Sequence, residues 1–191
     1  MGSLFLKKAA IMASAGNGGG GGPADSGWLF PTAYAHFGGD VNWSNPTYVY
    51  NDDANHADAN LDDFEESSVL MCTGYGFAIP SGATILGVEV MLDRYCSAGD
   101  DLYENIEKLI TGGTLAGTNK ATTSQTLPKS SNDLTLGSSS DLWGLTNGTT
   151  ITDTIINASN FGFGMGIFED DRDGNTRGYY NYNKMKVHYS T

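Results

Sequence analysis

Gly74-Tyr75-Gly76-Phe77-Ala78-Ile79-Pro80-Ser81-Gly82-Ala83-Thr84-Ile85-Leu86-Gly87-Val88-Glu89-Val90-Met91-Leu92-Asp93 decides the fold class. It reads as strand, tight turn, strand. Pro80 fixes φ and suits position i+1 of a turn, and Gly82 supplies backbone freedom two residues later. Beyond the turn, Leu86, Val88, Val90 and Leu92 share one face at period 2, with Gly87, Glu89, Met91 and Asp93 on the other. That pattern predicts an antiparallel sheet with one buried and one wetter face.

Working outward, further strands are expected over 47–50, 68–79, 84–95 and 105–111, and more weakly over 133–136 and 149–156. The apolar residues Phe161, Phe163, Met165 and Ile167 alternate with Gly162, Gly164 and Gly166 as a clear strand, and 178–189 is the last. Gly112-Gly113 closes one strand. Asn147-Gly148 and Asp173-Gly174-Asn175 are hairpin signals, and the latter predicts that the final two strands pair. The stretch 51–66 is densely acidic with few apolar anchors, so an exposed loop is expected there. Many short strands with turns between them predict an all-β protein: an antiparallel β-sandwich, jelly-roll-like, preceded by an extended N-terminal arm. The arm and its glycine-rich linker occupy 1–27 and the sandwich 28–191.

The chain has 191 residues, 26 of them Gly, and 11% aromatic content led by Tyr. A net charge of -12 disfavours a phosphate-binding surface, which needs clustered Lys and Arg, and it disfavours anionic membranes. No partnership with nucleic acid or membrane is therefore expected, and no apolar run reaches the ~18 residues of a membrane span. Cys72 and Cys96 lie in successive predicted strands, where they are either buried free thiols or a cross-sheet pair. In the arm, Leu4-Phe5-Leu6 precedes Lys7-Lys8 and only a short apolar patch follows, so the segment does not read as a secretory leader. The run Gly18 to Gly22 comes next, and ordering such a run is entropically expensive.

The residues offer little chemistry. Asp52, Asp53, His56, Asp58, Asp62 and Asp63 form an acidic loop whose spacing matches no rigid oxygen cage. Glu169-Asp170-Asp171-Arg172-Asp173-Gly174-Asn175 resembles a calcium loop, but Tyr180 stands where the bidentate Glu is required. Neither is expected to hold a metal. His36, His56 and His188 belong to no nucleophile elbow or zinc helix, and the Gly run is not followed by the Lys of a phosphate loop. No catalytic residue and no cofactor are expected. Trp43, Tyr48, Tyr50, Tyr179, Tyr180 and Tyr182 are candidates for an aromatic sugar platform or a subunit interface, core packing being the alternative.

The stretch from Gly76 to Val90, with Asp141-Leu142-Trp143-Gly144 and Asn160-Phe161-Gly162-Phe163-Gly164-Met165, resembles small β-sandwich or jelly-roll virion proteins of tailed bacteriophages. These serve as head decoration, head-fibre or tail accessory subunits. The resemblance covers about Trp28 to Thr191 and rests on folding residues. It implies a non-enzymatic structural subunit located in the virion, a homo-oligomer with other virion proteins as partners. Leu4, Phe5, Leu6, Ile11 and Met12 are then expected to anchor the arm on neighbours. The alternative is a carbohydrate- or receptor-binding module using the loop aromatics.

Overall fold

In the computed structural model, which describes residues 22–97, 102–170 and 176–191, two five-stranded antiparallel sheets enclose the core. In chain order the strands are β1 (Ala24–Asp25), β2 (Ala33–Phe37), β3 (Ala57–Leu61), β4 (Val69–Thr73), β5 (Thr84–Cys96), β6 (Leu102–Thr111), β7 (Thr114–Ala116), β8 (Asn132–Gly137), β9 (Gly162–Glu169) and β10 (Thr176–Ser190). The first sheet runs β10-β5-β8, with β3 and β1 sharing the other edge of β10. The second runs β2-β4-β9-β6-β7. From β3 onward the order is 3-10-5-8 facing 4-9-6-7, the winding of a jelly roll. β1 and β2 are additions at the edges. Because Ala24 and Asp25 already pair with Tyr189 and His188, the sheet begins ahead of Trp28. The arm residues Leu4, Phe5, Leu6, Ile11 and Met12 lie outside the described residues.

β5 follows its expected alternation, and Val88, Val90 and Leu92 are buried in the core. Nearer its start the parity changes. Gly87 pairs with His188 and Ile85 with Tyr189, so Leu86 is the extra residue of a bulge. Ile85 therefore points inward and Leu86 is only half-buried. A second bulge leaves Asn181 unpaired between Tyr180 and Tyr182, so Tyr180 and then Asn183, Met185 and Val187 turn inward. The link before β5 differs from expectation. The Ala83 N–H bonds the Pro80 carbonyl at 3.1 Å, so Pro80 opens the turn at position i and Gly82, with φ 79, is its i+2 residue. The strand before it ends at Thr73. From there the chain crosses between the sheets, burying Tyr75, Phe77 and Ile79 at one end of the core.

Four local expectations are overturned. The segment 47–50 is not a strand but part of a 3-10 helix, Pro46–Tyr50, with Pro in its first turn, where proline's fixed φ suits a helical start. Residues 149–156 include no strand; α1 (Asp153–Asn157) starts there because the Thr152 hydroxyl caps the Ile155 N–H at 3.1 Å. The acidic stretch 51–66 is not all exposed loop: Ala57, Ala59 and Leu61 alternate inward as β3 and pair with β10. The small size of alanine lets an acidic strand pack closely. The last two strands do not pair. β9 lies between β4 and β6, and β10 lies in the other sheet; the turn residues 171–175 are outside the described set. Of the two alternatives for the cysteines, the structure takes the buried thiols: Cys72 and Cys96 sit in opposite sheets and are not joined in a disulfide.

Candidate functional site

The outer face of the second sheet is the most unusual surface. β9 places Phe163, Met165 and Ile167 in the core and its glycines outside. Side chains from three neighbouring strands lean over that backbone ribbon. Val69 and Met71 come from β4, Ile106 and Ile110 from β6, and Leu115 from β7, forming an apolar cluster separate from the main core. A Cβ on Gly164 would stand 2.6 Å from Leu115 Cδ2 and 3.0 Å from Val69 Cγ1, so glycine is what allows the closure. The β6–β7 hairpin that presents Leu115 turns on Gly112 and Gly113, with φ 60 and 82, as a two-residue primed turn requires.

Phe37, at the end of β2, is 61% exposed beside this cluster. Two adjoining depressions share Phe37 and Leu115. One reaches Met71 and Thr114; the other, about 380 Å³, reaches Val69, Ile106 and Glu66. The second has an acidic rim. Asp40 Oδ2 accepts the Glu66 N–H at 3.0 Å, and both side chains are exposed. Lys108, between Ile106 and Ile110 in β6, is the nearby cation of that strand.

The outer face of the first sheet is largely satisfied by its own groups. Lys186 and His188 meet Glu89 at 2.8 and 3.5 Å. Burial opposes ionisation of Glu89, but the Lys186 hydrogen bond and the charges of Lys186 and His188 outweigh it and lower its pKa. Lys184 reaches Asp52 at 3.3 Å and sits 4.4 Å from the Tyr182 ring centre. Lys186 covers Trp28 at 4.6 Å. Toward β3 a smaller aromatic group appears: Tyr95 and Tyr179 stack at 4.6 Å, and His56 stands edge-on to Tyr179 at 4.6 Å. Burial raises the Tyr95 pKa, helped by Tyr179 and Asp93.

The six aromatic candidates do not converge on one surface. Trp43 is 3% exposed and donates its indole N–H to the Ser68 carbonyl at 2.8 Å. It packs edge-on to the fully buried Tyr180 at 5.0 Å. Tyr182 is also buried and donates to Asp133 at 2.7 Å. Tyr50 is half-buried, its hydroxyl pushed up to about 12 by burial and by the nearby Cys72 and Tyr34. Only Tyr48 is exposed, and Tyr179 is half-buried beside His56 and Tyr95, two residues that sequence reasoning did not place there. Among the described residues, no group of three or more His, Cys, Asp or Glu is arranged to hold a metal. Most of the calcium-like segment lies outside those residues. His36 Nδ1 meets Ser68 Oγ at 2.8 Å, but Ser68 is fully buried, so the contact pins the edge strand β2 to β4.

Among the buried polar side chains of the described residues, one carboxyl lies between the sheets with an unpaired oxygen. Glu107 points inward from β6 with no exposed surface. Its Oε1 accepts the Tyr180 hydroxyl at 3.1 Å, while Oε2 has no hydrogen-bond partner. The neighbouring Glu104 takes the Arg94 guanidinium and the Thr122 N–H. Burial, reinforced by the Glu104 charge, drives the Glu107 pKa well above its ordinary value; the Tyr180 hydrogen bond and Arg94 offset this only in part.

The chain matches no protein-family model, no curated protein and no solved structure.

Proposed function

We propose that this protein is a non-enzymatic structural subunit of a phage particle, a capsid decoration or related virion protein that packs against neighbouring subunits. The supporting observation is the apolar outer face of the second sheet, where Val69, Met71, Ile106, Ile110 and Leu115 cluster beside the 61%-exposed Phe37. Val69, Met71 and Ile110 are themselves buried, so the surface offered is Phe37 with the half-buried Ile106 and Leu115, and an exposed apolar patch marks an interaction site. The resemblance of the strand-turn-strand and glycine-alternating segments to small virion proteins supplies the setting. The partners are further copies and other virion proteins, with the N-terminal arm as a second attachment. The test is sedimentation velocity of the full chain with and without Phe37→Glu. Self-association that this exposed substitution abolishes supports the subunit; a monomer at every concentration in both forms overturns it.

A second reading has its own observation. His56, Tyr95 and Tyr179 form a compact, half-buried aromatic platform, with Asp58 and Arg177 3.6 Å apart beside it. Stacked aromatics next to polar side chains suit a sugar face, which would make the protein a carbohydrate-binding module. Retention on a glycan array, lost in Tyr179→Ala, would favour it.

A further inference from the structure

We infer that the apolar depression on the second sheet is the receptor for Leu4-Phe5-Leu6-Lys7-Lys8 of a second copy of this chain. The inference rests on the subunit reading above and names its partner segment.

Chemical complementarity carries the first half. The depression has an apolar floor of Val69, Ile106 and Leu115, an exposed Phe37 wall, and Glu66 on its rim beside Asp40. The segment offers three large apolar side chains followed directly by two cations. The charges divide the same way: the first 21 residues carry Lys7 and Lys8 and no acidic side chain, while the chain as a whole is at -12. Lys108 of β6 sets the orientation. The lysines avoid it by lying toward Asp40 and Glu66, which leaves the apolar triplet over Leu115 and Ile106.

Topology carries the second half, by separating a chain's own arm from its own depression. The chain enters the first sheet where Ala24 pairs with Tyr189, near the end of β10. The acidic rim lies at the opposite end of the sandwich, on the outside of the other sheet. Phe37 is the last residue of β2, and Glu66 bridges Phe168 near the end of β9. Ile167 of β9 meets Gly178 of β10, so between Tyr189 and the level of the depression β10 spans roughly 36 Å at about 3.3 Å per residue. A path round the outside adds the ~10 Å separation of the sheets. The chain between Lys8 and Gly22 reaches about 50 Å only at full extension, and flexible glycine-rich sequence of that length averages roughly 20 Å end to end, so docking on its own depression would require the segment to be almost straight. A neighbouring copy presents its depression without that demand.

The test mixes two full-length single variants, Phe5→Cys with a mass tag and Phe37→Cys, under a glutathione redox buffer. The native thiols are buried. The expected result is a mixed disulfide between the two chains, reduced at least about tenfold, equivalent to ~1.4 kcal/mol, when Phe5→Cys also carries Lys7→Glu and Lys8→Glu. Ser139→Cys, exposed on the far side of the molecule, is the control acceptor. Mixed disulfide no greater than with Ser139→Cys overturns the inference. So does a double variant, Phe5→Cys with Phe37→Cys, that closes only within one chain. Sedimentation of the unmodified chain separates the two ideas: self-association without the mixed disulfide overturns this docking and leaves the subunit reading standing, whereas absence of both overturns the two together.

Discussion

Replacing Glu107 by Gln should stabilise the protein, by an amount that grows with pH. In the folded state the carboxyl is enclosed between the sheets, with one oxygen on the Tyr180 hydroxyl and the other without a partner. The nearest cation, Arg94, is already engaged with Glu104. The native state therefore holds the Glu107 proton well above the ordinary pKa of 4.5, whereas the unfolded chain releases it near that value. Between those two pKa values unfolding releases a proton, so stability falls as pH rises, by about 1.4 kcal/mol per pH unit. The contribution is fully present below the unfolded pKa and lost as pH climbs through the folded one. Glutamine keeps an oxygen for Tyr180 and cannot ionise. The two proteins should be nearly equally stable at about pH 4 and diverge above it, with Glu107→Gln ahead. Urea midpoints at intervals between about pH 4 and pH 8 measure the gap, in which the other titrating groups cancel. Parallel curves would refute the reasoning, and so would a variant that loses ground as pH rises, because that outcome means an ionised Glu107 held by Arg94.

Trp143→Phe removes the indole N–H that the Val88 carbonyl accepts at 2.9 Å in the core; orphaning that carbonyl should cost about 1–3 kcal/mol, plus the cavity, read as a lower urea midpoint with unchanged m. Cys72, its thiol pushed up to about 12 by burial, should react with a thiol reagent only after unfolding, as should Cys96, and reducing agent should leave the melting temperature unchanged; one disulfide by mass spectrometry of the native protein would contradict this. EDTA or millimolar Ca²⁺ should also leave the melting temperature unchanged, since a cation bound only to the folded state would raise it by mass action; a rise with Ca²⁺ that Asp62→Asn and Asp63→Asn remove would refute it.

Fold class was legible because period 2 was unbroken where it mattered, through Val88, Val90 and Leu92 and through Phe163, Met165 and Ile167. Strand partners were not. A turn sequence such as Asp173-Gly174-Asn175 reports local backbone preference, while the sheet a strand joins depends on where its apolar face finds cover. β3 was hidden because its inward residues are two alanines and a leucine between acidic and polar neighbours. The helix α1 was hidden because Ile151, Ile155 and Ile156 read as β-branched strand residues, and the Thr152 cap overrode them. For Trp43 and Tyr180, platform or interface candidates with core packing as the alternative, the structure takes the core: they pack against each other inside it. The apolar outer face left one trace: Val69-Leu70-Met71-Cys72 is apolar without alternation, which is how a strand covered on both faces reads.

β10 is the final strand, and it sits at the centre of the first sheet, joined to β5 along one edge and to β3 and β1 along the other. A ribosome adding residues from the N-terminus makes this keystone after the other nine strands. Until Ser190 has left the exit tunnel, β5 has only β8 beside it, and β1 and β3 lack the strand they pair with. Tertiary assembly of the sandwich is thus deferred until β10 has been made, with the apolar inner faces uncovered meanwhile, a state prone to aggregation. A stop codon that removed even the last third of β10 would take away the residues that hold β1 and the beginning of β5. Stalled nascent chains should accordingly remain protease-sensitive until the complete strand is released.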